Sequence, residues 1–263
     1  MGRGPQRIFV SAVVSISMGL SIGAGGCTMD AGSPPGAQWE TSTVPSDSLV
    51  VRELAPGIWL HTSWRQLPGG LDFPKNGLLV SRSDGLWLVD TAWGHELTED
   101  LLDWIDSELG VMVSGTIVTH FHDDSMGGTL ALQDRGIPFW SHPLTMELGV
   151  NEGVPLPQSL GELTVGESVV VEGMEVFFPG PAHSEDNLMV WLPEARILFG
   201  GCAVRPGESS SLGNTADANV EEWPRSILRV RERFADAEIV VPSHGSPGDR
   251  SLLDHTIALF SIP

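Results

Sequence analysis

Residues 119–128 read Thr-His-Phe-His-Asp-Asp-Ser-Met-Gly-Gly and follow directly on the β-rich run 115–118. His120, His122 and Asp124 fall at i, i+2 and i+4, so a nearly extended segment aims all three to one side. Imidazole nitrogen and carboxylate oxygen both ligate first-row metals, and Zn²⁺ accepts them in tetrahedral sites at about 2.0–2.2 Å. The spacing asks for a strand end that opens into a turn, with Gly127-Gly128 predicted to let the backbone bend sharply into a helix. Taken alone, the segment can also be a solvated loop that happens to hold two histidines.

Three further turns carry ligand-type residues beside Gly or Pro: Pro181-Ala182-His183-Ser184, Gly200-Gly201-Cys202 and Pro242-Ser243-His244-Gly245. Six candidate ligands in four turns are hard to reconcile with chance. With these residues in view, the chain resembles the metallo-β-lactamases, specifically the di-zinc subclass whose second site is Asp-Cys-His. The resemblance runs from about Leu49 to the C-terminus. It implies an α/β fold, an αββα sandwich of two packed sheets with helices on both outer faces and the metal site at one edge between the sheets.

By position, His120, His122 and His183 match the three-histidine zinc site of that family, and Asp124, Cys202 and His244 match its second. Two Zn²⁺ are the implied cofactors. The physics agrees with the division. Three neutral imidazoles leave Zn²⁺ a dipositive Lewis acid with an open position, able to lower the pKa of a bound water to about 7. Thiolate and carboxylate reduce the charge at the second ion, which suits holding an anionic leaving group without trapping it. The reaction implied is attack of a di-zinc-bound hydroxide on the β-lactam amide of penicillins, cephalosporins and carbapenems.

The same resemblance assigns further roles. Asp124 orients the nucleophile and passes a proton to the departing ring nitrogen. Asp90 is a carboxylate behind the ligands, of the kind metal-bound histidines use to anchor their other ring nitrogen. Asn214 approaches the carbonyl oxygen, where an amide donor is worth a few kcal/mol, or is a turn residue beside Gly213. Arg205, three residues after Cys202, stands where many relatives carry the lysine that binds the substrate carboxylate, and arginine can do so bidentately. A Gly-rich loop at 65–76 covers the substrate, making Trp64, Leu67 and Phe73 apolar contacts, with ordinary packing as the alternative for each. Asp123 is read as structural, and His61, His95, His142 and His255 are given no metal role.

Competing functions divide on two residues. Glyoxalases, lactonases and nucleases of this fold usually place a histidine directly after the motif aspartate and an aspartate in place of the cysteine, whereas Ser125 and Cys202 stand here. That favours β-lactam hydrolysis. The runner-up is another exported zinc hydrolase, a lactonase, esterase or thioesterase. A periplasmic zinc-binding protein without catalysis has no use for Arg205, Asn214 or a covering loop.

Residues 1–26 carry Arg3 and Arg7, an apolar run over 8–22 and Gly23-Ala24-Gly25-Gly26, the pattern of a secretory signal peptide. The run is short for a span of about 20 apolar residues. Cys27 follows the small residues as in a lipobox, although Ala24 replaces the usual leucine. Two outcomes stay open: acylation of Cys27 with anchoring to the outer membrane, or ordinary cleavage and release into the periplasm of a Gram-negative cell. Only two cysteines are present, so no structural disulfide is expected between the cleavage site and the ligand set, and zinc ligation accounts for an exported thiol at Cys202. The net charge of −20, or −22 without Arg3 and Arg7, argues against nucleic acid and anionic lipid surfaces as partners. A monomer acting on small molecules is expected.

Three regions result: leader 1–26, a Pro/Gly/Ser/Thr-rich tether 27–47, and one catalytic domain 48–263 with 41% hydrophobic residues to fill its core. Within the domain, strands are predicted at 48–54, 58–64, 77–82 and 86–90, then a helix over 95–109 on the Leu97, Leu101, Leu102, Ile105 and Leu109 stripe, ended by Gly110. A helix over 127–135, strands at 139–141, 169–171, 174–178, 188–192 and 197–199, a helix over 224–234, a strand at 238–241 and a last helix over 250–260 complete the pattern. Strands in two groups, each flanked by helices, point to two packed sheets covered outside.

Overall fold

Two blocks of sequence each build one sheet. The computed structural model describes the backbone of residues 41–43 and 48–261, and side chains from 48 to 261. The leader and Cys27 lie outside the described residues. In chain order the elements are β1 Thr41–Thr43, β2 Leu49–Ala55, β3 Ile58–Leu67, β4 Leu71–Arg82, β5 Gly85–Val89, α1 His95–Trp104, β6 Val113–Ile117, α2 Asp123–Met126, α3 Thr129–Asp134, β7 Phe139–Ser141, α4 Pro143–Leu148, β8 Gln158–Ser159, β9 Ser168–Val171, β10 Met174–Phe177, β11 Met189–Leu192, β12 Ile197–Gly201, α5 Trp223–Arg233, β13 Ile239–Pro242 and α6 Ser251–Ala258. Strands β1 to β8 form one sheet in sequence order, and β13-β12-β11-β10-β9 form the other.

Strand alternation sorts the apolar residues into three layers. Leu60, Leu78, Val80, Val89 and Ile117 of the first sheet meet Val176, Val190, Leu192, Phe199 and Val241 of the second. Leu79 and Leu88 point the opposite way, onto Leu101 and Leu102 of α1 and Leu132 of α3. On the far side, Phe177, Met189, Leu198 and Val240 meet Ile227 and Val230 of α5 and Leu253 of α6. Runs such as Leu78-Leu79-Val80 are continuously apolar because both faces are covered, and each fully buried side chain contributes about 1.5–3 kcal/mol. The expected αββα sandwich is the observed one.

Topology gathers the ligand turns at one edge. Strands β5 and β6 run parallel, as do β12 and β13, so the residues just past their carboxyl ends lie together: Asp90, His120, Cys202 and His244. Open parallel sheets characteristically place ligand sites there. The amino end of β4, antiparallel to β5, reaches the same edge.

Four expectations require correction. The stretch 65–76 is no open loop: β3 and β4 stay paired from Ile58↔Val80 to Leu67↔Leu71, and only Pro68-Gly69-Gly70 turns. The chain turns there with Gly69 and Gly70 at φ 99° and 81°, a region costly to other residues. The end of the tether stretch is a strand, β1, paired with β2 at Thr41↔Arg52 and Thr43↔Val50, for which β-branched threonines are suited. The helix over 95–109 is α-helical only to Trp104 and continues as a wider π turn over Ile105–Leu109, closed by Gly110 N–H to Ile105 C=O. Gly127 and Gly128 are not there to turn: Gly127 has φ −61° and Gly128 φ −91°, both open to any residue. They are needed for close approach, since a Cβ on Gly128 would lie 2.0 Å from Thr98 Oγ1 and one on Gly127 2.3 Å from Asp123 C=O.

Candidate metal centre

Each candidate ligand is set by a strand end. His120 and His122 follow β6, Asp124 stands in the first turn of α2, His183 follows β10, Cys202 follows β12 and His244 follows β13. The six side chains converge. The donor atoms of His120, His122 and His183 lie within 4.8 Å of one another, as do those of His120, Asp124 and Cys202. His122 Nδ1 is 3.0 Å from His183 Nε2. Asp124 lies between the two groups, its Oδ1 3.5 Å from His120 Nε2 and its Oδ2 3.2 Å from His244 Nε2. Cys202 Sγ stands 3.1 Å from that same Oδ2 and 3.5 Å from His244 Nε2.

This donor set fits zinc on chemical grounds. Imidazole, carboxylate and thiol are its preferred ligands, and their mixture matches neither the all-oxygen shells of Ca²⁺ and Mg²⁺ nor a disulfide. His120 Nε2, which faces the cluster, is buried without a hydrogen-bond partner among the described residues, and a buried polar nitrogen left so is costly unless something else binds there. His120, Cys202 and Asp124 are all buried.

A polar layer beneath the cluster fixes it. Asp90, held at φ 62° in the left-handed region, accepts from Thr119 N–H at 2.7 Å, Thr119 Oγ1 at 2.9 Å, Ser125 Oγ at 3.0 Å and Lys75 Nζ at 2.8 Å. Backbone strain at such a position is tolerated where surrounding contacts hold it. Two residues of β4 bind the turn of His244: Asn76 donates to Pro242 C=O at 2.9 Å and Gly245 C=O at 2.8 Å, and His244 Nδ1 lies 2.6 Å from Pro74 C=O. On the opposite side His122 Nε2 is 3.1 Å from Asp217 Oδ2. Trp223, fully buried, donates Nε1–H to Ala203 C=O at 2.8 Å and so backs the Cys202 turn, with its ring 5.8 Å from that of His183.

Electrostatics follow from burial and neighbours. Burial holds His120 well below the ordinary imidazole range and, with His122 beside it, lowers His183 to about 4, so both are neutral ligands at pH 7. Burial opposes the charge on Asp124, but the His244 hydrogen bond and the neighbouring His120 outweigh it and hold the carboxyl well below its usual range. Burial and then Asp124 push the Cys202 thiol well up in the metal-free chain, and a bound zinc reverses that by deprotonating its thiol ligand outright.

Comparison with known proteins settles the family, for residues 70–244 match the metallo-beta-lactamase superfamily. The chain belongs to that superfamily. It is 41% identical to the metallo-beta-lactamase type 2 of Bacillus cereus over 81% of this chain and 82% of that one, and 40% identical to that of Pseudomonas aeruginosa over 79% and 82%. Among solved structures it is similar to a metallo-beta-lactamase from Hirschia baltica, with a TM-score of 0.79, 36% identity and coverage of 81% and 98%. It is also similar to FIM-1 from Pseudomonas aeruginosa in a mono-zinc form, with a TM-score of 0.78, 36% identity and coverage of 82% and 97%.

The metallo-beta-lactamase cleft opens above the ligands as a cavity of about 360 Å³ lined by Leu67, Phe73, Trp93, Glu152, Asn214 and the exposed edges of His122, Asp124, His183 and His244 among others. Leu67 and Phe73 therefore stand where the covering element was expected. Trp64 does not: it lines a separate cavity with Val50, Arg52 and Pro74. On β3, side chains alternate, so Arg65 and Leu67 face the cleft and Trp64 faces away. Asn214 lines the cleft while its Oδ1 accepts from Ala216 N–H at 3.1 Å, so it is turn former and cleft residue at once. Arg205 lies beside the cleft, buried, with Nη2 donating to Ser209 Oγ at 3.2 Å and its guanidinium packed on Gly213.

Asp123 accepts from Trp93 Nε1 at 3.2 Å and pairs with Arg65, which also stacks 4.9 Å above the Trp93 ring. It thus ties the hairpin to the ligand turn, in keeping with a structural role. The sequence reading missed Lys75, Trp93, Glu152, Asp217 and Trp223. Asp217, in Asn214-Thr215-Ala216-Asp217, was within reach, since a carboxylate close to a candidate cleft residue is a natural partner for a ligand histidine. Lys75 carried no signal, because a lysine in sequence reads as surface. Two of the histidines off the motif have other work: His142 accepts from Leu144 N–H to cap α4 and His255 Nε2 meets Ser209 C=O.

Proposed function

We propose that this chain hydrolyses the β-lactam amide bond of penicillins, cephalosporins and carbapenems, with two zinc ions as cofactors. One observation carries the proposal: Cys202 and Asp124 meet at 3.1 Å inside the same cluster as three histidines, beneath an open apolar-rimmed cleft. Zinc bound there supplies Lewis acidity for the amide carbonyl and a water acidified to a pKa of about 7.

The chain's own residues do the rest. Leu67, Phe73 and Trp93 offer apolar surface to the substrate's side groups, and the Asn214 amide, whose oxygen accepts from Ala216 N–H, keeps its NH₂ as the donor assigned to the carbonyl oxygen. Asp124, shared between the two ligand groups, is placed to take a proton and return it to the ring nitrogen as the C–N bond breaks. The substrate carboxylate is assigned to Arg205, which needs to swing from Ser209; Arg65, tied to Asp123 at the opposite rim, is the competing cation.

Purified full-length protein incubated with a penicillin, a cephalosporin and a carbapenem, and in parallel with a lactone and a thioester, tests this. Zinc-dependent loss of the β-lactam chromophore that chelator abolishes is expected. Turnover of the lactone or thioester alone, or no turnover at all with zinc restored, overturns it.

The proposal extends to place. The leader at 1–26 and the small residues before Cys27 support export to the periplasm, with acylation of Cys27 as the anchor. Cys27→Ala is expected to move the protein from the membrane fraction to the soluble one. Unchanged partitioning removes the anchor.

A further inference from the structure

Lys75 is fully buried in a fold otherwise poor in cations, and the chemistry above gives it no task. Its Nζ donates to Asp90 Oδ2 at 2.8 Å and to Asn76 C=O at 2.8 Å, and lies 5.5 Å from the centre of the Phe199 ring. Burying an unpaired ammonium or carboxylate is expensive, and a pair is retained here at a site where apolar residues would pack at lower cost.

Counting protons reveals a use. A hydroxyl has one proton to give. Thr119 Oγ1 gives its own to Asp90 at 2.9 Å and Ser125 Oγ gives its own to Asp90 at 3.0 Å. Both oxygens also face His120 Nδ1, Ser125 Oγ at 3.0 Å and Thr119 Oγ1 at 3.3 Å. With their protons spent on the carboxylate, they can only accept from the ring, so Nδ1 must carry the hydrogen. The lone pair is then on Nε2, the buried nitrogen with no hydrogen-bond partner that faces Asp124 across 3.5 Å. Were Asp90 neutral, its own proton would go to one of these hydroxyls, free that hydroxyl to donate to Nδ1, and leave the hydrogen on Nε2, where a metal must bind.

We propose that Lys75 is a positioning residue for the metal centre: its charge holds Asp90 as a carboxylate, and through Thr119 and Ser125 this fixes the His120 tautomer that presents Nε2 to zinc before any metal arrives. The inference rests on the zinc site proposed above and is independent of which substrate the site opens.

The test uses the full chain, stripped of metal, with ¹⁵N-labelled imidazoles. Nitrogen–carbon-bound-proton correlation spectra are expected to give the Nδ1–H form of His120 in the unsubstituted protein. Lys75→Met keeps length without charge; it is expected to bring in the Nε2–H form and to weaken zinc binding, read by competition with a chromophoric chelator, by about 10–100-fold, the usual cost of losing a partner behind a metal ligand. Ser125→Ala removes the nearer acceptor and is expected to weaken zinc about tenfold, with less than additive loss in the double variant. An Nε2–H ring in the unsubstituted chain, or zinc affinity within twofold of normal in folded Lys75→Met, overturns the proposal. Should Lys75→Met fail to fold, the spectrum of the unsubstituted chain and the Ser125→Ala affinity decide. β-Lactam turnover by the unsubstituted chain is assayed alongside, so that a missing activity with the expected tautomer counts against the substrate and not against Lys75.

Discussion

The floor and the rim of the cleft are built in opposite ways. On the floor, His120, Asp124 and Cys202 are buried and their turns are pinned from behind: Thr119 by Asp90, Ser243 N–H by Gly201 C=O at 3.0 Å, and Leu188 N–H by Thr119 C=O at 2.8 Å. At the rim, the hairpin tip ends in Leu71, 62% exposed, and the opposing Asn214 is exposed as well. The contrast separates two demands. Metal binding needs donors fixed to within a fraction of an ångström before the ion arrives, whereas a rim that admits bulky and varied ring substituents gains from loosely held side chains.

Changes in the floor should therefore cost stability and metal, and changes at the rim should alter substrate affinity alone. The largest loss is expected for Trp223→Ala, which empties the support behind the Cys202 turn: about 3–5 kcal/mol of unfolding free energy, read from urea midpoints. A loss below 1 kcal/mol would mean that the Cys202 turn does not lean on this ring. Next comes Cys202→Ser. Removing a direct ligand should exceed the roughly 100-fold that marks the upper range for partners behind a ligand, in turnover at limiting zinc, and near-normal turnover there would take Cys202 out of the site.

Acid should also act on the floor before the rim. His61 is buried against Gly77, where a Cβ would meet its ring at 2.2 Å, and burial lowers it from 6.5 to about 3. Between those values the unfolded chain binds a proton that the folded chain refuses. Stability is therefore full above pH 6.5 and lost as pH falls toward 3, at about 1.4 kcal/mol per pH unit for this one group. His183, lowered to about 4, adds to the same slope. In metal-free protein His61→Gln should flatten the pH dependence of the urea midpoint by one proton, and an unaltered slope would show that His61 is not its source.

The smallest effects belong to the rim. Arg205→Ala is expected to raise KM for carboxylate-bearing β-lactams about tenfold with kcat within twofold, the mark of binding shared by ground and transition states. If Arg65→Ala shows that pattern and Arg205→Ala does not, the carboxylate binds at the hairpin side.

The floor was legible in sequence because its residues are forced by chemistry. Histidine, aspartate and cysteine next to glycines and prolines at four turns mark a metal site, and short apolar β-type runs bounded by turn residues gave most strands to within a residue or two. The rim was less legible. Trp64 and Leu67 look equally apolar on paper, and strand alternation divides them only once β3 is known to continue to Leu67. The pinning groups behind the floor were hidden for another reason: Lys75 and Trp223 acquire their roles through partners 15 and 20 residues distant in sequence, Asp90 and Ala203, and no local pattern announces such pairs.

Cobalt replacement of zinc examines the convergence of the six ligands most directly. Two equivalents of Co²⁺ added to metal-stripped protein should bind, and a thiolate-to-cobalt charge-transfer band in the near ultraviolet should develop in full and vanish in Cys202→Ser. Two bound cobalt ions without that band, or a band that survives the substitution, would contradict the placement of Cys202 beside Asp124 and His244.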